Sequence, residues 1–146
     1  MHNIVTPHPG CDVFVLNEER KLLLIQRADN GLWALPGGYQ NRGETPMQCA
    51  IRECIEETGL ETEITDLLGV FSSLNYELKN YPVKDIEICH LLFLGKVTGG
   101  KLSTSEESKN TGWFSEIEMP QLSDGHEIRI KFGWKFVNGN VKTYFE

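Results

Sequence analysis

Residues 37–60 read GGYQNRGETPMQCAIRECIEETGL, a glycine pair followed by a helix start and a run of acids. Thr45 is placed to cap the helix, its hydroxyl accepting an orphan N–H of the first turn. Pro46 follows at the first helical position, where a missing donor costs nothing. Gln48, three residues after Thr45, completes a capping-box pattern. Thr58-Gly59 ends the helix, with Gly59 suited to the left-handed position there. At about 100° per residue, Met47, Ala50, Ile51, Cys54 and Ile55 form an apolar stripe. Glu53, Glu56 and Glu57, at i, i+3 and i+4, share a different face, and each like-charge pair costs about a few tenths of a kcal/mol. Glu56 and Glu57 also lie near the partially negative end of the helix, which adds to the cost. A divalent cation removes that penalty, and hard cations such as Mg²⁺ take carboxylate oxygens. The bland alternative is a solvated acidic face.

The wider spacing decides between these. Gly38 is followed by five residues and Glu44, then by seven residues and Arg52-Glu53, Glu56-Glu57 and Gly59-Leu60. This resembles the Nudix box, Gly-x5-Glu-x7-Arg-Glu-U-x-Glu-Glu-x-Gly-U, where U is a bulky aliphatic. Every fixed position matches, and the one departure is Cys54 at the first U, where a free cysteine packs as a small hydrophobe. The preceding Trp33-Ala34-Leu35-Pro36 also resembles the family's entry to the box.

The resemblance implies an enzyme that hydrolyses a nucleoside diphosphate linked to another group, using Mg²⁺ or Mn²⁺. Carried over by position, Glu53, Glu56 and Glu57 are metal ligands, and a main-chain carbonyl at Gly37 completes the metal shell. Glu53, or a glutamate outside the box, activates water, and Arg52 orients Glu53 by an ion pair. Gly38, Glu44 and Gly59 are structural. An acidic loop before Trp113-Phe114 also resembles many Nudix enzymes, in which such a glutamate binds metal or acts as base; Glu107 is the first choice and Glu106 the second. The implied fold is α/β, a Nudix-type α/β/α sandwich with a mixed β-sheet, the box helix on one face and a C-terminal helix on the other. The tail WFSEIEMPQLS resembles small Nudix enzymes with NDP-X substrates, which favours ADP-ribose or an NDP-sugar. The alternatives are a nucleoside triphosphate pyrophosphohydrolase that sanitises damaged nucleotides, and a non-catalytic Nudix-fold ligand sensor, which the complete set of box acids disfavours.

Composition sets the outer bounds. The 146 residues suffice for one domain over 1–146, with 1–10 as a lead-in and the box at 38–60. With 40% hydrophobic and 24% charged residues the chain reads as globular. A formal net charge of −7 argues against nucleic-acid polymers and anionic membranes as partners. It leaves a small nucleotide open, because a bound cation supplies the positive charge. Cys11, Cys49, Cys54 and Cys89 form no zinc-type cluster and read as reduced thiols of a cytoplasmic protein. The N-terminus lacks the basic and apolar regions of a signal peptide, and the apolar runs are too short to span a bilayer. The oligomeric state stays open, a homodimer included.

Along the chain, Cys11–Leu16 and Lys21–Gln26 read as strands joined by a turn, the second apolar enough for burial on both faces. Arg27, just before the box loop, is either a phosphate clamp on the substrate or a surface ion pair. Glu61–Ser73 alternates like a strand, Tyr76–Lys84 is a polar loop, and Asp85–Val97 is the strongest strand, ended by Thr98-Gly99-Gly100. Lys101–Thr111 reads as a loop, Gly112–Ser115 as a short strand and Glu116–Pro120 as a short turn of helix. His2 and His8 read as solvated and His90 as structural. Residues 123–137 alternate like a strand but also carry the i, i+4 pairs Ile128/Phe132/Phe136 and Ile130/Trp134, with Ser123 or Asp124 as cap. The family resemblance favours a helix there, the alternative being a hairpin at Asn138-Gly139, and Val141–Phe145 is a last extended piece. Tyr76, Tyr81 and Trp33 are candidates for stacking on a base.

Overall fold

The computed structural model describes residues 7–80, 85–139 and 141–146. Their elements, in chain order, are β1 (His8–Val15), β2 (Leu22–Arg27), β3 (Trp33–Ala34), β4 (Gly37–Tyr39), α1 (Pro46–Thr58), β5 (Leu60–Ser72), β6 (Ile88–Gly100), β7 (Ser108–Phe114), α2 (His126–Asn138) and β8 (Tyr144–Phe145). The strands form a five-stranded mixed sheet in the order β4-β1-β6-β5-β8 and a three-stranded sheet in the order β3-β2-β7. β1 runs parallel to β6 and antiparallel to β4.

The period-two alternation of β1 makes the sandwich. Cys11 packs with Cys49 and Ala50 of α1, and Val13 and Val15 cluster with Cys54. Phe14, on the other face, packs with Ile130 and Trp134 of α2. The helices therefore cover opposite faces, as expected. β2 is buried on both faces: Leu23 joins the α1-side cluster, while Leu22 and Leu24 join the α2-side core. Each such leucine contributes about 1.5–3 kcal/mol on full burial. The four cysteines are free thiols. Burial pushes Cys11 and Cys54 up to about 11, so they act as packing groups rather than nucleophiles.

Several sequence expectations are corrected. The buried side of α1 consists of Cys49, Ala50, Cys54, Glu57 and Thr58. Met47 and Ile55 of the expected apolar stripe are 46% and 43% exposed, because the helix turns its glutamates toward the box loop. β6 begins at Ile88 rather than Asp85 and continues through Gly100, whose φ of 84° lets it turn after pairing with Leu60. β7 begins at Ser108, inside the expected loop. Residues 116–120 make a turn, Glu118 N–H donating to the Ser115 carbonyl, without a helix. Residues 126–138 are helical and no hairpin forms at Asn138-Gly139. The cap is Gly125 in the left-handed region rather than Ser123 or Asp124. Ile130 and Trp134 form the core seam of α2, while Ile128 is 45% exposed. β8 realises the expected last extended piece, pairing in parallel with Gly69 and Val70. His2 and Tyr81 lie outside the described residues.

Candidate active site

The box helix is capped as its sequence dictates. Thr45 Oγ1 accepts from Gln48 N–H at 3.2 Å, Gln48 Oε1 accepts from Thr45 N–H at 2.8 Å, and Gly59 ends the helix at φ 77°. This fixes the rotation that aims Glu53 and Glu57 at the loop of residues 37–39. Two glycines let the loop come close. A side chain at Gly38 would place its Cβ 2.6 Å from the Glu53 carboxylate, and one at Gly37 would run into Asp12. The Gly37 N–H donates to Glu57 Oε1 at 2.7 Å.

Arg52 is the hub of the outer side. Its guanidinium grips Glu44 through two bonds of 2.7 and 2.9 Å, reaches Glu53 at 2.8 Å and Glu56 at 3.1 Å, and donates to the Tyr39 carbonyl at 3.2 Å. Arg52 holds Glu44 down to about 2. Glu44 also accepts from Asn41 N–H, so it fastens the loop to the helix.

The third acid arrives from far along the chain. Fully buried Ser108 donates to the Glu57 carbonyl at 2.6 Å, and the Ala28 N–H donates to the Glu107 carbonyl at 3.0 Å. The first bond pins the start of β7 against the end of α1, and the second ties it to the turn after β2. Glu53, Glu57 and Glu107 consequently offer carboxylate oxygens within 4.8 Å of one another. Glu56 stands apart: its side chain is 57% exposed and turned to Arg52. Of the expected trio, Glu53 and Glu57 lie in this cluster, with Glu107 beside them, and Glu56 lies outside it.

The electrostatics of the trio suit a cation. Burial pushes Glu57 up to about 9, against the Gly37 N–H, and Glu53, Asp12 and Glu107 add repulsion. Burial also raises Glu53 above the usual carboxylate range, against the pull of Arg52. An all-oxygen, acidic donor set with one member nearly enclosed fits a hard divalent cation, which replaces the proton and relieves the repulsion.

These acids line one wall of a cavity of about 690 Å³, within the usual range for small-molecule sites. Arg27 and Glu106 line it too, and Arg27 pairs with Asp29 at 2.6 Å. Tyr76, a candidate for stacking on a base, lines the cavity, its hydroxyl 2.6 Å from His90 Nε2. Burial pushes His90 down to about 2, so it is a neutral wall residue, in keeping with a structural role. Trp33 packs edge-on against Phe114 instead. His8 is exposed, its ring tilted against Tyr39. Three further polar residues of the cavity went unread in the sequence: Asp12, His126 and Arg129, all buried. Their signal was a lone Asp inside an apolar strand and a lone Arg between isoleucines, each needing a partner.

The NUDIX domain family model matches residues 6–133. The chain is a Nudix hydrolase. It is 34% identical over 136 residues to an ADP-ribose pyrophosphatase of Methanocaldococcus jannaschii, covering 90% of this chain and 77% of that one. It is 33% identical over 138 residues to a putative 8-oxo-dGTP diphosphatase of Bacillus subtilis, covering 91% and 86%. The crystal structure of an ADP-ribose pyrophosphatase from Streptococcus suis superposes with a TM-score of 0.79 at 25% identity, covering 97% of this Nudix hydrolase and 100% of the other chain. Nudix hydrolases generally use divalent metals. No helix among the described residues is long and apolar enough to cross a membrane.

Proposed function

We propose that this Nudix hydrolase cleaves the pyrophosphate bond of a nucleoside diphosphate linked to a second group, with ADP-ribose or an NDP-sugar as the substrate class. The observation that carries the reading is the convergence of Glu53, Glu57 and Glu107 within 4.8 Å at one wall of a nucleotide-sized cavity. These three would hold Mg²⁺ or Mn²⁺. The Gly37 N–H is already given to Glu57, and a role for the Gly37 carbonyl rests on the family resemblance alone. A cation there supplies neutralisation of the charge that develops on the phosphoryl oxygens.

The remaining chemistry belongs to the chain. Glu53, gripped by Arg52, accepts a proton from water at a carboxylate oxygen as the water oxygen bonds to phosphorus. The bridging P–O bond breaks, and the products are a nucleoside monophosphate and the phosphorylated second group. Burial raises the basicity of Glu53, which suits that task. Glu107 is assigned as a ligand and Arg27, at the rim, as a clamp on phosphate. Glu44, Gly38 and Gly59 hold the loop and helix in register.

The M. jannaschii relative supports the NDP-X substrate class. The B. subtilis relative supports a second reading, pyrophosphohydrolysis of a modified nucleoside triphosphate. Turnover of a panel containing ADP-ribose, several NDP-sugars and normal and oxidised nucleoside triphosphates, with Mg²⁺, separates them. The expected result is kcat/KM for ADP-ribose or an NDP-sugar exceeding that for every triphosphate. Triphosphates turned over far better would replace the substrate assignment, and no turnover of any compound would overturn the reading.

A further inference from the structure

Glu107 reaches the other two acids from an exposed loop, so its carboxylate goes where its main chain directs it. That main chain is held by a chain of hydroxyls. Ser108 is fully buried, and its Oγ donates to the Glu57 carbonyl at 2.6 Å. A serine has one hydroxyl proton, and this bond uses it. The 2.8 Å contact between the Ser105 and Ser108 hydroxyls must then carry the Ser105 proton, with Ser108 accepting. Ser105 Oγ in turn accepts the Glu107 N–H at 3.3 Å and the Ser108 N–H at 3.1 Å, and the Ser105 N–H donates to the Ser108 carbonyl at 3.0 Å. The direction of the relay is therefore fixed, from Ser105 to Ser108 to the Glu57 carbonyl, and bonds in such a chain strengthen one another.

The end of the relay matters as much as its direction. The Glu57 carbonyl belongs to the last turn of α1, whose carbonyls the helix itself leaves open. The next one, of Thr58, accepts the Ser103 N–H at 2.8 Å, so residues 103–108 cap the helix. Glu57 is held at both ends, its carbonyl by Ser108 and its carboxylate by the Gly37 N–H. Glu57 and Glu107 thus offer oxygens to one position and are tied behind it through a single hydroxyl. The strand register agrees. Gln26 pairs with Asn110 and Arg27 with Ser108, which leaves Lys109 as an extra residue in β7. Such a bulge re-aims a side chain. Here Lys109 and Asn110 are both exposed, while Ser108 turns inward.

We infer that Ser105 and Ser108 are positioning residues of the metal centre, their hydroxyl relay setting the separation of the Glu57 and Glu107 carboxylates. The inference rests on the proposed hydrolase reading, since it concerns that site. A relay that only stabilised the turn would lower stability without acting through Glu107.

Calorimetric titration with Mn²⁺ of the wild type, Ser108→Ala, Glu107→Gln and the double variant tests it. Ser108→Ala is expected to weaken Mn²⁺ binding by about 10–100-fold, the usual cost of removing a group that orients a metal ligand. In the Glu107→Gln background the same replacement is expected to change the affinity by less than about 2-fold, because a residue that acts through Glu107 has nothing left to orient. Ile130→Val, in the core on the opposite face of the sandwich, is the control for stability alone: it unfolds at lower urea and binds Mn²⁺ as the wild type does. Ser105→Ala removes the first hydroxyl of the relay. It is expected to weaken binding with the same dependence on Glu107, and it decides if Ser108→Ala does not fold. Unchanged affinity in either folded serine variant, or a loss that persists in the Glu107→Gln background, would overturn the inference, and so would a wild type that binds no Mn²⁺. Serine variants that behave as expected in a chain that turns over no member of the substrate panel would leave it standing and remove the hydrolase reading instead.

Discussion

A Glu53→Gln enzyme is expected to lose about 10²–10⁴-fold in kcat at saturating Mg²⁺, the usual range for removing a general base, and to remain folded. Glutamine keeps the size and one acceptor but removes the charged, basic oxygen. Glu53 is firmly held: its side chain is 12% exposed, it bonds to Arg52 at 2.8 Å and it packs against Gly38. Glu107 sits on an exposed loop, anchored through its backbone and its neighbour Ser108. Glu107→Gln is therefore expected to weaken metal binding and to be largely restored by excess Mn²⁺. Steady-state rates of the two variants across a metal titration make the comparison. Near-full recovery of Glu53→Gln at saturating metal would leave Glu53 a ligand only and pass the role of base to Glu107.

The second large effect is on stability. Burial pushes Glu57 up to about 9 in the folded chain, while the unfolded chain restores the ordinary glutamate value of 4.5. Between those values the folded state keeps a proton that the unfolded state has released, so stability falls as pH rises, by roughly 1 kcal/mol per unit at the limit of one full proton. His90 and His126, both depressed by burial, contribute in the opposite sense, but only below their unfolded value of 6.5. The window from about pH 7 to 8 therefore isolates the carboxylates from the histidines and stays below the ordinary value of 9.0 at which the buried thiols Cys11 and Cys54 begin to contribute. Urea unfolding in EDTA should show the protein less stable at the upper end of this window, and Glu57→Gln should flatten the dependence. Saturating Mg²⁺ should reverse it, because a cation replaces the proton. A metal-free stability that is flat or rising across the window would contradict the burial argument.

Much of the site was legible because local rules carry it. The Thr45/Gln48 box, Pro46 and Gly59 set both ends of α1 by short-range chemistry, and the spacing of Gly38, Glu44 and Arg52 set the loop against it. The rotation of α1 was misread because the apolar positions 47, 51 and 55 outweighed Glu57 in a hydrophobic count. Burial of Glu57 makes sense only with the Gly37 N–H and the other acids around it. Glu107 was picked from the acidic loop before Trp113-Phe114 on the family resemblance, yet the cause of its position, the buried bond from Ser108 to Glu57, is tertiary. Asp12 and Arg129 are 117 residues apart, and nothing local joins them. The cap of α2 was misplaced for a related reason: Gly125 adopts a left-handed conformation with the Tyr76 ring packed against it, a contact no local pattern encodes.

Glu53, Glu57 and Glu107 are proposed to form a divalent-metal centre. Calorimetric titration with Mn²⁺ at pH 7 tests it most directly, repeated in buffers of different ionisation enthalpy so that proton release is counted. The expected result is saturable binding that releases close to one proton, the one held by Glu57, and loss of that release in Glu57→Gln. No saturable binding of Mn²⁺ or Mg²⁺, with or without nucleotide, would contradict it.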